Sequence, residues 1–295
     1  MDLTSKIEQV RKKLIVFFLI DASTSMDGKK MEAVNTAIEE SIPVIKEISA
    51  ENSDAEIKIA ALEFSFGASW LTKSGPVSIE DENFKWKKVN AAGNTDLGAA
   101  YRALNDKLST KGFMEQDGGC YPPVIILLSD GEPSDDWKAG FDILSKNPWY
   151  KASIKISIAI GFDANTEILK TFSGSIESVL VAFNADMLKK MIKFVSVQTS
   201  RKASSVRGSA DNAAKQEEII KEFKETIAKN NGSFTKCDKG HVYDLAQNEC
   251  PYCNGKKIED DFDELPEGGE SLPLDLAMCY EIGPRLEIDP GEEDW

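Results

Sequence analysis

Leu14-Ile-Val-Phe-Phe-Leu-Ile20 runs without a polar residue into Asp21-Ala-Ser-Thr-Ser-Met-Asp-Gly28. An apolar run of this length, with β-branched and aromatic residues in it, reads as a strand buried on both faces, as strands are inside a parallel sheet. Similar runs follow at Ile57 to Phe64, Val124 to Leu128, Ile154 to Ile160 and Val179 to Ala182. Between them apolar residues recur at three-four spacing. Met31, Val34, Ile38, Ile42, Ile45 and Ile48 form one such face, Leu97, Tyr101, Leu104 and Leu108 a second, and Met187, Leu188, Met191, Ile192 and Val195 a third. Strands alternating with helices predict an α/β fold, a mostly parallel sheet flanked by helices, over residues 1–199.

The composition narrows the function. Of 295 residues, 50 are acidic and 35 basic, for a net charge of -15. That balance argues against nucleic acid and anionic membrane as partners, because both need a positive surface. Arg11-Lys12-Lys13 before Leu14 imitates a signal peptide, but the apolar run is short and ends at Asp21 rather than at small residues. No stretch approaches the roughly 18 apolar residues of a membrane span, so a cytoplasmic protein is expected. Five cysteines, three of them within seventeen residues, fit metal ligation better than a disulfide framework.

The quoted loop places Asp21, Ser23 and Ser25 where the first strand ends. A second strand ends at Ser129-Asp130-Gly131-Glu132, and Gly93-Asn94-Thr95-Asp96-Leu97 opens a helix. Ligands of parallel α/β sheets bind at the carboxyl ends of the strands. Carboxylates and hydroxyls without His or Cys form a hard-oxygen set that favours Mg²⁺ or Mn²⁺. An ion with few charged ligands keeps positive charge and attracts an external carboxylate. Taken singly, Ser23, Ser25 and Thr95 also read as helix caps, and Asp130-Gly131 as a turn.

Together, Asp-x-Ser-x-Ser at Asp21, Thr-Asp-Leu-Gly at Thr95 and the strand-terminal Asp-Gly at Asp130 resemble, in order, the metal-ion-dependent adhesion site of the von Willebrand factor A family. The resemblance implies a Rossmann-like fold. It also implies that Ser23, Ser25 and Thr95 coordinate the ion directly or through water, with Asp21 and Asp130 anchoring the shell. A Mg²⁺-dependent phosphohydrolase using Asp21 as nucleophile is the competing reading. Such enzymes resemble Asp-x-Asp-x-Thr, whereas Ser23 stands at their second Asp and no lysine motif follows.

After Thr199 the composition turns to small polar residues. A linker with a short helix is expected over 200–232, the helix carrying Ile219, Ile220, Phe223 and Ile227 on one face. Residues 233–258 hold Cys237-x3-His241 and Cys250-x2-Cys253, two chelating pairs suited to tetrahedral zinc. So small a module needs metal to fold. Cys250-Pro-Tyr-Cys253 is also a glutaredoxin-type redox sequence, although Asn254-Gly255 after it makes a poor helix start. This module and Leu127 to Trp137 resemble TerY-like proteins, the von Willebrand A proteins of bacterial tellurite-resistance and stress systems, which carry a C-terminal zinc ribbon. That resemblance implies a non-enzymatic adaptor associated with a serine/threonine kinase and a protein phosphatase.

Residues 259–295 hold 14 acidic residues and one basic. They are expected to be disordered or partner-bound, with Leu272 to Ile282 and Leu286 to Ile288 as apolar anchors. Residues 1–258 carry 36 acids and 34 bases, so the net charge belongs to this tail.

Overall fold

The computed structural model describes residues 10–115, 118–161, 164–175, 178–182, 185–204, 214–219, 221–222, 234–236 and 242–244. Its main sheet is built on the opening apolar run. Strand β1 (Lys12–Asp21) is buried from Leu14 onward, with β2 (Ala55–Ser65) parallel on one side and β5 (Val124–Ser129) parallel on the other. Strands β6 (Ile154–Ile160) and β7 (Val179–Ala182) extend the parallel set beyond β5. Two short strands, β3 (Gly67–Trp70) and β4 (Val77–Ser78), pair antiparallel with β2. The order is β3-β2-β1-β5-β6-β7, with β4 also on β2.

Helix α1 (Lys29–Glu51) connects β1 to β2, and α2 (Leu97–Lys107) returns the chain across β1 to β5. Right-handed crossovers in opposite directions put these helices on opposite faces of the sheet. Helices α3 (Trp137–Leu144), α4 (Pro148–Ala152) and α5 (Thr166–Ser173) follow on the α2 side, and α6 (Ala185–Ser204) comes back along α1. The fold is therefore α/β, with a mostly parallel sheet flanked by helices. No described helix is long and apolar enough to cross a membrane.

Beyond α6, residues 214–219 and 221–222 are helical, and their Gln216 and Ile219 are buried. The Gln216 amide accepts from the Lys155 backbone N–H at 2.8 Å and donates to Ser173 O at 3.2 Å and Ser178 Oγ at 2.5 Å. Lys202 of α6 pairs with Glu218 and Glu222. This helical segment is thus fastened to the end of the sheet where β6 begins. Strands β8 (Phe234–Lys236) and β9 (Val242–Asp244) pair antiparallel. Cys237 and His241 lie between them in sequence, and with Cys250, Cys253 and residues 245–295 they fall outside the described residues.

Candidate functional site

Strand order fixes where the candidate residues meet. From β1 the chain moves to β2 on one side and later to β5 on the other, so the β1/β5 boundary is the point where the connections diverge, the usual crevice of such sheets. Asp21 ends β1, and Ser129 ends β5 with Asp130 directly after it. The register pairs Ile20 with Leu128, setting these residues side by side.

Asp21 is fully buried. Its Oδ1 accepts from the Ser23 backbone N–H at 2.9 Å, and its Oδ2 accepts from Ser129 Oγ at 2.6 Å. Burial pushes its carboxyl above the usual range, the hydrogen bonds from Ser129 and Ser23 oppose that rise, and the Asp130 charge adds to it. Ser23 Oγ lies 3.0 Å from Ser25 Oγ, and Ser25 Oγ donates to Asp130 Oδ1 at 2.8 Å. The other Asp130 oxygen accepts from Lys30 Nζ at 2.7 Å. Thr95 Oγ1 and Ser25 Oγ are each 3.7 Å from the place a Cβ on Gly131 would take. Five residues singled out from sequence, Asp21, Ser23, Ser25, Thr95 and Asp130, therefore converge at one crevice.

None of the three hydroxyls serves as a helix cap. The residue before α1 is Gly28, at φ 74°, and the residue before α2 is Asp96, while Ser23 makes no cap bond to the short 3₁₀ turn Thr24–Met26. Nor is Asp130-Gly131 a plain turn, because the Asp130 side chain is held by Ser25 and Lys30, about a hundred positions away. Local turn chemistry does not account for the cluster.

The loops are tied to one another. Thr24 N–H and Oγ1 both donate to Gly93 O, and Ala92 N–H donates to Ala22 O, joining the first loop to the second. Thr95 exchanges bonds with Ser134, its N–H donating to Ser134 Oγ and its O accepting from Ser134 N–H, which joins the second to the third. Asp135 accepts from the Gly98 and Ala99 N–H groups at 2.8 and 2.9 Å and so caps α2 from the β5 loop. A Cβ on Gly98 would lie 2.6 Å from Asp136 O, and one on Gly140 would lie 2.6 Å from Gly98 O. Close approach of α2 and α3 is what the glycine of Thr-Asp-Leu-Gly permits. Lys30, Ser129, Ser134 and Asp135 were not among the residues expected from sequence.

The donor set suits a hard cation. Among the described residues no three His, Cys, Asp or Glu side chains cluster for a metal, so an ion here would rest on hydroxyl as well as carboxylate oxygen. Adjacent ligands of an octahedral Mg²⁺ at about 2.0–2.1 Å are about 2.9 Å apart, and the Ser23–Ser25 hydroxyl pair is separated by 3.0 Å. The residues present fit the ion.

The rim carries an exposed aromatic. Phe66, in the turn between β2 and β3, is 75% exposed and lies against Gly93, where a Cβ would fall 2.5 Å from the ring.

No protein-family model and no curated protein matches the sequence. Among solved structures, the pilus adhesin SpaC from Lactobacillus rhamnosus GG is similar with a TM-score of 0.52 at 12% identity, over 66% of this chain and 31% of that one. The von Willebrand factor type A protein from Catenulispora acidiphila gives 0.47 at 16%, over 64% and 43%, and the PilB minor pilin from Streptococcus sanguinis 0.48 at 14%, over 66% and 63%. This chain thus spans less than two thirds of the length of each. At these identities the likeness is one of α/β fold alone.

Proposed function

We propose that this protein is a non-enzymatic, metal-dependent interaction adaptor that presents Mg²⁺ or Mn²⁺ to an Asp or Glu of a protein partner. Ser23, Ser25 and Thr95 hold the ion, and Asp21 and Asp130 orient the hydroxyls and waters around it. The ion supplies a positive charge with an open position for an anionic oxygen. The observation that carries this reading is the convergence of three uncapping hydroxyls from two loops beside two strand-terminal carboxylates. Phe66 offers an apolar anchor beside the bound carboxylate, as aromatic side chains commonly do at interfaces.

The runner-up is the phosphohydrolase. Its nucleophile would be Asp21, yet that side chain is buried with both oxygens hydrogen-bonded, which supports binding over nucleophilic attack. On the resemblance to TerY-like proteins, we propose a cytoplasmic role in a bacterial stress, tellurite-resistance or defence-type signalling system, linking a serine/threonine kinase and a protein phosphatase. Cys237, His241, Cys250 and Cys253 are proposed to hold Zn²⁺ in the ribbon of residues 233–258.

Affinity capture from native lysate with Mg²⁺ or with chelator tests the reading. The partner should be lost on chelation and in Ser23→Ala and Thr95→Ala, and weakened in Phe66→Ala. A partner retained in both hydroxyl variants would refute the metal-dependent contact. Phosphoester turnover abolished by Asp21→Asn would establish the hydrolase instead.

A further inference from the structure

Lys30 lies in the first turn of α1, and its ammonium reaches across to the end of β5, 2.7 Å from Asp130 Oδ2. The Asp130 side chain has no exposure, and that of Lys30 is 13% exposed. The pair is therefore shielded from solvent, where charges act on each other more strongly than on an open surface. Asp130 Oδ1 meets Ser25 Oγ, and Ser25 Oγ meets Ser23 Oγ. The ammonium is thus linked through a single carboxylate to the hydroxyl pair proposed to hold the divalent ion. Asp21, the second carboxylate, is met by a serine hydroxyl and a backbone amide rather than by a base.

The geometry points to Lys30 as a resident cation of the site, one that neutralises Asp130 in the metal-free protein and sets divalent affinity below what the two carboxylates alone would give. This inference rests on the metal reading of the same site. Without the divalent ion, the cluster of Asp21, Asp130 and Lys30 carries one negative charge instead of two, so the loops hold together before loading. With the ion, the cluster carries one positive charge, which a single partner carboxylate neutralises. Were Lys30 neutral, the loaded cluster would carry no net charge, and the partner carboxylate would be held by the ion's open position without that added attraction. Lys30 therefore trades affinity for the ion against affinity for the anion that the ion is there to bind.

Calorimetric titration of the full chain with Mn²⁺, alongside thermal melts in chelator and in saturating Mn²⁺, tests the assignment. Ser23→Ala identifies which binding event belongs to this site. Lys30→Met should bind Mn²⁺ about tenfold more tightly or better, because a like charge has been removed from beside the ion. It should melt lower than the wild type in chelator and gain more on Mn²⁺ addition, since stabilisation by a ligand grows with its affinity. Lys30→Arg should keep wild-type affinity by keeping the charge, and it serves as the measure if Lys30→Met fails to fold without metal. Equal or weaker Mn²⁺ binding by Lys30→Met, or tighter binding by Lys30→Arg, overturns the role of Lys30 while leaving the metal site intact. If the wild type shows no Ser23-dependent Mn²⁺ binding, the metal reading and this inference fall together.

Discussion

Adding one methyl group to Gly98 should disturb the candidate site without touching any of its donors. A Cβ there would lie 2.6 Å from Asp136 O, 2.8 Å from Asp135 Oδ2 and 2.8 Å from Trp137 Cα. Two of these are backbone atoms, so no side-chain rotation relieves the contact, and α2 must move away from the start of α3. Overpacking of this kind costs about 1–3 kcal/mol. The same movement pulls the Gly98 and Ala99 N–H groups from Asp135, and a lost cap costs about 1 kcal/mol. Alanine returns about 1 kcal/mol through its helix propensity. The net for Gly98→Ala is a loss of about 1–3 kcal/mol, roughly 3–10 °C in Tm for a body of this size. Because Thr95 rides on the start of α2, it should also withdraw from Ser25, and Mn²⁺ affinity should fall with stability. Urea denaturation in chelator gives the first quantity and calorimetric titration the second. Unchanged stability would mean that the two helices are not held at close approach. Lost stability with unchanged affinity would mean that their contact does not set the spacing of the loops.

Three further outcomes are expected. Arg11 binds Glu80 at 2.7 Å and also donates to Ser49 O and Asn52 O, so Arg11→Met should cost about 1–2 kcal/mol at neutral pH. The Arg11 guanidinium holds the Glu80 carboxyl below its usual value. That stabilisation is fully present above the unfolded carboxyl pKa, about 4.3, and is lost as pH falls through the lowered folded value. The difference in Tm between wild type and variant should therefore narrow in acid, and a constant difference would refute the assignment. Gln216→Ala strands the Lys155 N–H, Ser173 O and Ser178 Oγ, costing about 1–3 kcal/mol, and should speed proteolysis within residues 205–232. Cleavage at the wild-type rate would show that this amide does not fasten the segment. Elemental analysis should find one zinc per chain, lost in Cys250→Ser, whereas a metal-free protein with a reducible Cys250–Cys253 disulfide would favour the redox reading.

The residues legible in the sequence are those whose position follows from the elements next to them. Asp21 and Asp130 end apolar runs, and Thr95 precedes a periodic helix, so each could be assigned to the carboxyl edge without knowing the strand order. Which residue meets which could not. Lys30 and Ser25 meet Asp130, and Ser129 meets Asp21, across about a hundred positions each, and only the adjacency of β1 and β5 brings them together. Length explains the elements that were missed. Strands β3 and β4 are too short to alternate, and α3, α4 and α5, of eight, five and eight residues, are too short to show a period. Local punctuation marked two of them. Asn147 before Pro148 caps α4, and α5 lies between the cap Asn165 and Gly174 at φ 83°.

Asp21 has a consequence for the protein as a folding sequence. Strand β1, buried from Leu14 onward, delivers its last residue, an acid, to a place with no solvent, where folding raises the carboxyl pKa. Ionised in water when the chain is unfolded, that carboxylate is a point of frustration, and stability alone would favour a neutral amide in its place. Metal-free protein should therefore become more stable on Asp21→Asn while losing its response to divalent ions. Local discord of this kind, set into an otherwise consistent strand, marks where the sequence answers to a requirement other than its own folding.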